Sequence, residues 1–387
     1  MSQPTLYLID GSSYIFRAYF AIRHLSTSTG FPTNAIFGFT SMLFKFIKDY
    51  DPKYVAMVFD SKSRTFRSDI YPLYKANREK PPDDLIPQFD KIFDVVRAFS
   101  IPIVQKEGFE ADDLIGTIAK QNENKKIDIV LVTGDKDFYQ LVSPNIKLLD
   151  TMKNKVTDTE EVKNRFGVGP EAVIDVLALA GDQVDNIPGV KGIGEKTASK
   201  LIAQFDSLEG VYENIEELKG KQKENLENDR DMAFLSKKLV TIKTDVDDIE
   251  KDYKNFGFQS FNAGELSKLF DTFEFSNLKK ELGDNFTGAE TKSSDESSVI
   301  KYKNYKLVLS EKELDKVIEK IKSSGELSID LETTSPLPIF AEIVGFSLTP
   351  REDEGFYVPV AHDEDTQQLT LELVINRLQP LLEDKSS

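Results

Sequence analysis

The chain has 387 residues, 40% hydrophobic and 30% charged, the balance of a soluble globular protein long enough for two or three domains. It has no cysteine and only His24 and His362, which excludes disulfides and thiolate metal sites and leaves no motif for a histidine zinc site or a hydrolytic triad. A net charge of −17 argues against a protein that merely coats nucleic acid, unless clustered carboxylates hold divalent cations while a separate basic element meets phosphate.

The opening Met-Ser-Gln-Pro-Thr lacks a basic leader, and no apolar run approaches the ~18–20 residues of a bilayer span, so a cytoplasmic address without membrane contact is expected. Short apolar runs predict buried strands at Thr5 to Ile9, Tyr54 to Phe59, Ile101 to Val104 and Ile129 to Val132, separated by stretches of helix length. Phe39, Leu43, Phe46 and Ile47 recur at helical spacing and predict the inward face of a helix. The pattern is α/β over residues 1–160. Three of the runs end in acids, at Asp10, at Asp60, and at Asp135 with Asp137; the fourth leads through a Gly108 turn to Glu110, Asp112 and Asp113. Ligands of an open parallel sheet bind outside the carboxyl ends of its strands, so these acids should converge on one rim. Taken singly, each is explained as an N-cap or a solvated loop residue, and Glu110, Asp112 and Asp113 as complements to a helix dipole.

Between Asp60 and Lys80, six basic residues (Lys62, Arg64, Arg67, Lys75, Arg78 and Lys80) face three acids, with Tyr71 and Tyr74 interleaved. A solvated helix face is the plain interpretation; beside an acidic rim the segment also suits the phosphates and bases of a single strand. Residues 161–285 predict a helical subdomain, interrupted by the glycine-rich stretch Gly181 to Gly194, where Asp182 and Asp185 bring the acids to nine. So many like charges on one rim would repel unless cations sit among them, and oxygen donors without Cys or His favour Mg²⁺ or Mn²⁺, two ions roughly 3.5–4 Å apart. Gly189, Gly192 and Gly194 predict a tight turn before a helix opening at Glu195-Lys196-Thr197, either a phosphate-binding helix start or an ordinary glycine-packed helix-turn-helix. Residues 286–298, without an aliphatic side chain larger than alanine, predict a flexible linker. In 299–387, strands are expected at Tyr305 to Leu309, Leu327 to Glu332, Ile343 to Leu348 and Phe356 to Val360, with helices at Glu311 to Ser323 and Leu371 to Leu382. Asp330 and Glu332 fall on one face of a strand.

Five blocks now carry a resemblance: Asp10-Gly11-Ser12-Ser13-Tyr14 with Arg17; Val58-Phe59-Asp60 through Thr65-Phe66-Arg67; Glu110-Ala111-Asp112-Asp113; Thr133-Gly134-Asp135-Lys136-Asp137; and Gly181-Asp182 with Asp185-Asn186-Ile187-Pro188-Gly189-Val190. In this order they resemble the 5′ nuclease domain of bacterial DNA polymerase I and its flap endonuclease relatives. The resemblance implies a PIN-like, resolvase-like parallel-sheet domain over 1–285 with a helix–three-turn–helix subdomain. It implies metal-dependent hydrolysis of phosphodiester bonds in 5′ flaps or nicked duplex DNA during replication and repair, by a monomer. Asp10, Asp60, Glu110, Asp112 and Asp113 would surround one metal, and Asp135, Asp137, Asp182 and Asp185 the other. Arg17, Lys75 and Arg78 would steer the scissile phosphate, with Arg67 and Tyr74 on DNA and the 60–80 region forming a helical arch. Gly189, Lys191, Gly192, Gly194, Lys196 and Thr197 would grip duplex backbone, with K⁺ held by carbonyls.

The tail resembles the start of a ribonuclease H-like 3′ proofreading exonuclease domain, with Asp330 and Glu332 as part of a metal site. It stops short of that family's further acids and of any polymerase domain. A non-catalytic branched-DNA-binding module and a ribonuclease on a related fold remain as alternatives; the full set of nine acids weighs against the first and the glycine-rich duplex grip against the second.

Overall fold

A computed structural model of the chain describes residues 3–286, 305–333, 343–351, 354–362 and 368–382. The linker expected at 286–298 lies, apart from its first residue, outside the described residues. The chain divides into two compact units, Met1–Ala289 and Glu290–Ser387.

In the first unit a six-stranded sheet is built from β1 (Thr5–Asp10), β2 (Tyr54–Val58), β3 (Ile103–Val104), β4 (Asp128–Val132), β5 (Ile146–Asp150) and β6 (Lys155–Thr157), in the order β3-β2-β1-β4-β5-β6. The first five run parallel, and β6 turns back antiparallel on β5. Strand order reverses at β1, which makes the crevice at the carboxyl ends of β1 and β4 a topological switch point. Both faces are covered: Leu6 and Leu8 of β1 point into one core, Tyr7 and Ile9 into the other.

Helices α1 (Gly11–Ala21), α2 (Asn34–Tyr50), α3 (Phe66–Ile70), α4 (Ile86–Ala98) and α5 (Ala111–Asn122) lie between the strands as far as β4. Phe39, Leu43, Phe46 and Ile47 are buried along α2, as their spacing predicts. The helix starts earlier than that spacing shows because the Gln88 side chain supplies the acceptor its first turn needs. Gln88 Oε1 accepts from the Ala35 and Ile36 N–H groups at 2.9 and 3.2 Å. The strand expected from Ile101 is only two residues long.

Beyond β6 come α6 (Thr159–Phe166), α7 (Pro170–Ala180), α8 (Glu195–Phe205), α9 (Leu208–Glu213), α10 (Gly220–Asn228), α11 (Arg230–Val240), α12 (Ala263–Thr272) and α13 (Ser276–Phe286). Helix α7 packs on α8, on α11 and on the 3₁₀ turn Lys136–Leu141, so the helical layer is seated directly on the acidic rim. The last two helices leave that layer: Leu266, Phe270 and Leu278 join the core beneath α2 and α4.

The second unit pairs β7 (Tyr305–Leu307), β8 (Ser328–Thr333), β9 (Ile343–Arg351) and β10 (Glu354–Pro359) in the order β7-β10-β9-β8, with α14 (Glu311–Ser324) and α15 (Leu371–Leu382). Val308, Leu314, Val317, Phe346, Leu348, Val358, Val374 and Leu378 form its core. Strand β8 is an edge and is exposed along its length, Asp330 and Glu332 included. Among the described residues no helix is long and apolar enough to cross a membrane.

Candidate metal and phosphate site

The rim acids stand where helices begin. Asp10 caps α1, with Oδ1 accepting from the Ser13 N–H at 2.9 Å and Oδ2 from the Thr133 hydroxyl at 3.1 Å. Asp60 follows β2; its Oδ1 accepts from the Ala111 N–H at 2.8 Å, and its own N–H donates to Ser12 Oγ at 3.0 Å. Glu110 takes the N-cap position of α5, and Asp135 caps the 136–141 turn by accepting the Asp137 N–H at 2.9 Å. Capping and rim chemistry are therefore not rivals: a helix start needs an acceptor, and a strand–helix junction in this sheet lies at the rim.

These carboxylates crowd one another. Burial, and then repulsion from Asp60 and Asp135, pushes Asp10 up to about 7. Burial followed by Asp135, Asp10 and Asp60 holds Asp112 well above the usual carboxylate range, and burial with Asp135, Asp182 and Asp185 pushes Asp137 up to about 7. Asp135 thus acts on both groups of acids rather than belonging to the second alone.

Three residues expected to meet metal or DNA are buried and already partnered within the protein. Asp113 is 0% exposed and its carboxylate is fully committed. Oδ1 accepts from Arg67 Nη2 at 2.8 Å and the Lys243 N–H at 2.9 Å; Oδ2 accepts from Arg67 Nη1 at 2.8 Å and the Glu110 N–H at 3.1 Å. No lone pair is left for a cation. Arg67, 3% exposed, spends its other donors on the Leu239 and Thr241 carbonyls at 2.8 and 2.9 Å, so it clamps the helical layer to α5. Tyr74 is 7% exposed, and its hydroxyl donates to Glu110 Oε2 at 3.0 Å.

The 60–80 region also differs from a helical arch. It contains only the five-residue α3, then turns, because Pro72, Pro81 and Pro82 interrupt helical hydrogen bonding. Those turns are fastened to the loop after α7. The Lys75 N–H donates to the Asp185 carbonyl at 2.9 Å, Asn77 Nδ2 to the Gln183 carbonyl at 2.7 Å, and Asn186 Nδ2 to the Leu73 carbonyl at 2.6 Å. Lys75 Nζ then lies 2.9 Å from Glu110 Oε2 and 3.6 Å from Asp185 Oδ2, and Arg78 pairs with Asp185 Oδ1.

The loop itself depends on two glycines. Gly181 and Gly189, at φ +68° and +60°, approach so closely that a Cβ on either would strike the backbone beside the other. Asp182 and Ile187 bridge across it, their N–H groups donating to each other's carbonyls at 2.9 and 2.7 Å, which turns Asp182 and Asp185 to the rim. Burial works against the charge on Asp182, but the Lys136 ammonium, 2.9 Å from Oδ2, outweighs it and holds this carboxyl below its ordinary value. Arg17 reaches the same rim by another route, lying against Gly134, where an added Cβ would meet its guanidinium, and pairing with Asp150 at 3.3 Å.

The glycine-rich turn is exposed at Lys191, Gly192 and Gly194, while Gly189 is buried and its N–H donates to Ser236 Oγ at 2.9 Å. Gly189, Gly192 and Gly194 bracket it, Lys191 and Lys196 are exposed, and Thr197 lies in the first turn of α8. Asn225 Nδ2 donates to the Lys191 carbonyl at 2.7 Å, and Asp229 accepts the Lys191 N–H at 2.9 Å. Lys191 and Lys196 therefore stand apart from the acids that engage Lys75 and Arg78.

Sequence reasoning passed over Lys136, Asn77, Asn186 and Asp150 as partners of the rim. Lys136 alone had a visible signal, being flanked by two of the nine acids. The donor set at the rim is carboxylate oxygen throughout, and burial, followed by repulsion from neighbouring carboxylates, raises Asp10, Asp112 and Asp137. Both features fit a hard divalent ion. Among the described residues no three acids converge closely enough to form a finished cage.

The domain is a largely parallel α/β sheet with acids at its switch point and Lys75 and Arg78 paired with two of them. Residues 5–167 match the family model described as 5′-3′ exonuclease, N-terminal resolvase-like domain, and residues 168–264 match 5′-3′ exonuclease, C-terminal SAM fold. The 5′-3′ exonuclease of Aquifex aeolicus is 39% identical over 75% of this chain and 99% of its own length. The chain belongs to the 5′-3′ exonuclease family. DNA polymerase I of Pseudomonas aeruginosa is 41% identical across 99% of the chain, which spans 43% of that protein; the chain spans less than half the length of the DNA polymerase I relatives it matches. Two solved structures share the fold. T5 5′-exonuclease with bound zinc has 21% identity and a TM-score of 0.53 over 72% of this chain and 98% of that one. The catalytic core of Rad2 in complex with DNA substrate has 17% identity and a TM-score of 0.52 over 73% and 92%.

Proposed function

We propose that residues 1–285 are a divalent-metal-dependent 5′ nuclease that cleaves 5′ flaps or nicked duplex DNA, as part of a DNA polymerase I working in the cytoplasm as a monomer. The observation that carries the reading is the gathering of Asp10, Asp60, Glu110, Asp112, Asp135 and Asp137 at the strand–helix junctions on one rim of the sheet, with Lys75 against Glu110 and both Lys75 and Arg78 against Asp185. Asp10, Asp60, Asp112 and Asp135 would hold one ion, and Asp137, Asp182 and Asp185 the other, with Glu110 completing the rim through Lys75. Mg²⁺ or Mn²⁺ there would supply Lewis acidity, neutralising charge on the phosphate and lowering the pKa of water. Lys75 and Arg78 would bind non-bridging phosphate oxygens, exchanging Asp185 for the substrate; Arg17 flanks them. The turn bearing Gly189, Gly192, Gly194, Lys191, Lys196 and Thr197 would grip duplex backbone, with K⁺ on its carbonyls. Residues 299–387 would be the start of a 3′ exonuclease-like domain, with Asp330 and Glu332 a partial metal site.

A 5′-flap substrate is expected to be cut near its junction with Mg²⁺ or Mn²⁺ and left intact in EDTA. Undiminished cleavage in EDTA would defeat the metal reading, and tight binding without cleavage at any metal concentration would favour the non-catalytic module. The basic residues should divide their labour. Lys75→Ala or Arg78→Ala is expected to slow single-turnover cleavage by about 10²–10³-fold, the scale of one lost electrostatic donor, with little change in duplex affinity. Lys191→Ala or Lys196→Ala should weaken binding instead and reduce its salt slope by about one for each phosphate no longer neutralised. Equal effects of both groups on rate and on slope would refute the division.

A further inference from the structure

The loop after α7 carries two acids whose positive partners differ in origin. Asp185 is met by Lys75 and Arg78, which come from the exposed 71–78 turns. Asp182 is met by Lys136, which comes from the 3₁₀ turn at the foot of β4, anchored by the buried Phe138 and Leu141 and capped by Asp135. The Asp182 carboxylate is unequally occupied. Its Oδ1 accepts from the Val184 N–H at 2.7 Å and from the Asp185 N–H at 3.4 Å, while Oδ2, the oxygen without a backbone donor, receives Lys136 Nζ at 2.9 Å.

We propose that Lys136 is an internal counter-ion that competes with a divalent cation for Oδ2 of Asp182 and so sets the metal concentration at which the second group of acids fills. The inference rests on the metal reading above. A cation approaching Asp182 finds one oxygen committed to amides and the other neutralised. It must either displace the ammonium or stand beside it, and two positive charges a few ångströms apart repel by several kcal/mol at a protein surface, about 4 kcal/mol for unit charges at 4 Å. Lys136 can yield because its side chain is partly exposed on a flexible four-carbon stem. In the first group the Lys75 ammonium lies against Glu110, while Asp10 is bonded to an N–H and a hydroxyl and Asp60 to an N–H; in the second, Asp182 is met by Lys136 and Asp185 by Lys75 and Arg78. The second group is accordingly the weaker and the more sensitive to metal concentration, while the ammonium spares Asp182 from facing Asp137 and Asp185 unpaired.

The test is a calorimetric Ca²⁺ titration of the full chain after stripping with EDTA, comparing wild type with Lys136→Met, Lys136→Arg and, as a remote control, Lys45→Met. The weaker binding phase of Lys136→Met is expected at about tenfold lower Ca²⁺ than in wild type, a modest part of the repulsion removed. Lys136→Arg and Lys45→Met should remain near wild type. In EDTA, Lys136→Met should melt below wild type and gain more from Ca²⁺, which shows that it folds and that Asp182 has lost a partner. A weaker phase that stays in place or moves to higher Ca²⁺ overturns the inference alone, because Lys136 would then be orienting Asp182 rather than competing for it. Failure of the wild type to bind Ca²⁺ in any phase overturns the metal reading and this inference together.

Discussion

Asp113→Ala is expected to lower folding stability by about 3–5 kcal/mol, the scale for breaking one side of a buried ion pair. The substitution removes four hydrogen bonds at once. It strands the Arg67 guanidinium, 3% exposed, with two donors unsatisfied, and it frees the Glu110 N–H at the start of α5 and the Lys243 N–H beside it. Urea denaturation read by circular dichroism checks the magnitude. Activity should fall with it, because Glu110 and Asp112 ride on the same helix start, but the loss should track the unfolded fraction as temperature rises. Replacing both partners, Arg67→Met with Asp113→Leu, should recover much of the stability, since a well-packed apolar pair avoids the desolvation of two charges. A variant that keeps wild-type stability and loses only activity would return Asp113 to the metal.

That outcome bears on how much of the molecule can be read from its residues. The strands and their acidic ends were legible because parallel strands buried on both faces are continuous apolar runs, and Asp10 closes β1 while Asp60 and Asp135 come two and three residues after β2 and β4. What a linear pattern could not reveal was which acids meet solvent. Asp112 and Asp113 are adjacent in sequence, yet a step of about 100° around α5 turns one to the rim and the other to Arg67. Arg67 and Tyr74 look like DNA ligands in a run of basic and aromatic residues. Their burial is decided by Leu239, Thr241 and Glu110, of which the first two lie some 170 residues away in sequence from Arg67. The fastening of 73–78 to 183–186 through two asparagines is likewise a long-range fact without a local signature. Strands β5 and β6 were not foreseen either; β6 has only three residues and is mostly exposed, whereas β5 is a short apolar run closing on Asp150.

The metal-stripped protein is expected to become less stable as pH rises from about 5 to 8, with the loss reversed by divalent cation. Asp10 and Asp137 are pushed up to about 7 from an ordinary 3.8, and Asp112 is raised as well. A raised carboxyl is protonated in the folded state over a range where the unfolded chain has already lost its proton. The folded state then binds more protons, so stability falls with pH between the unfolded and folded values and the penalty is complete above about 7. Forcing one carboxyl from 3.8 to about 7 to ionise costs on the order of 4 kcal/mol, shared where the acids interact. Asp182 runs the other way, but its lowered value places its window below 3.8, outside the range tested. Melting temperatures at pH 5.5, 7 and 8 in EDTA should therefore descend. Mg²⁺ should restore more at pH 8 than at pH 5.5, because ions compete with protons for the same oxygens. Asp10→Asn should flatten the EDTA slope and blunt the Mg²⁺ gain together. A stability that rises with pH in EDTA, or a Mg²⁺ gain independent of pH, would mean that the rim carboxylates are not compressed against one another and that the charge balance at the site lies elsewhere.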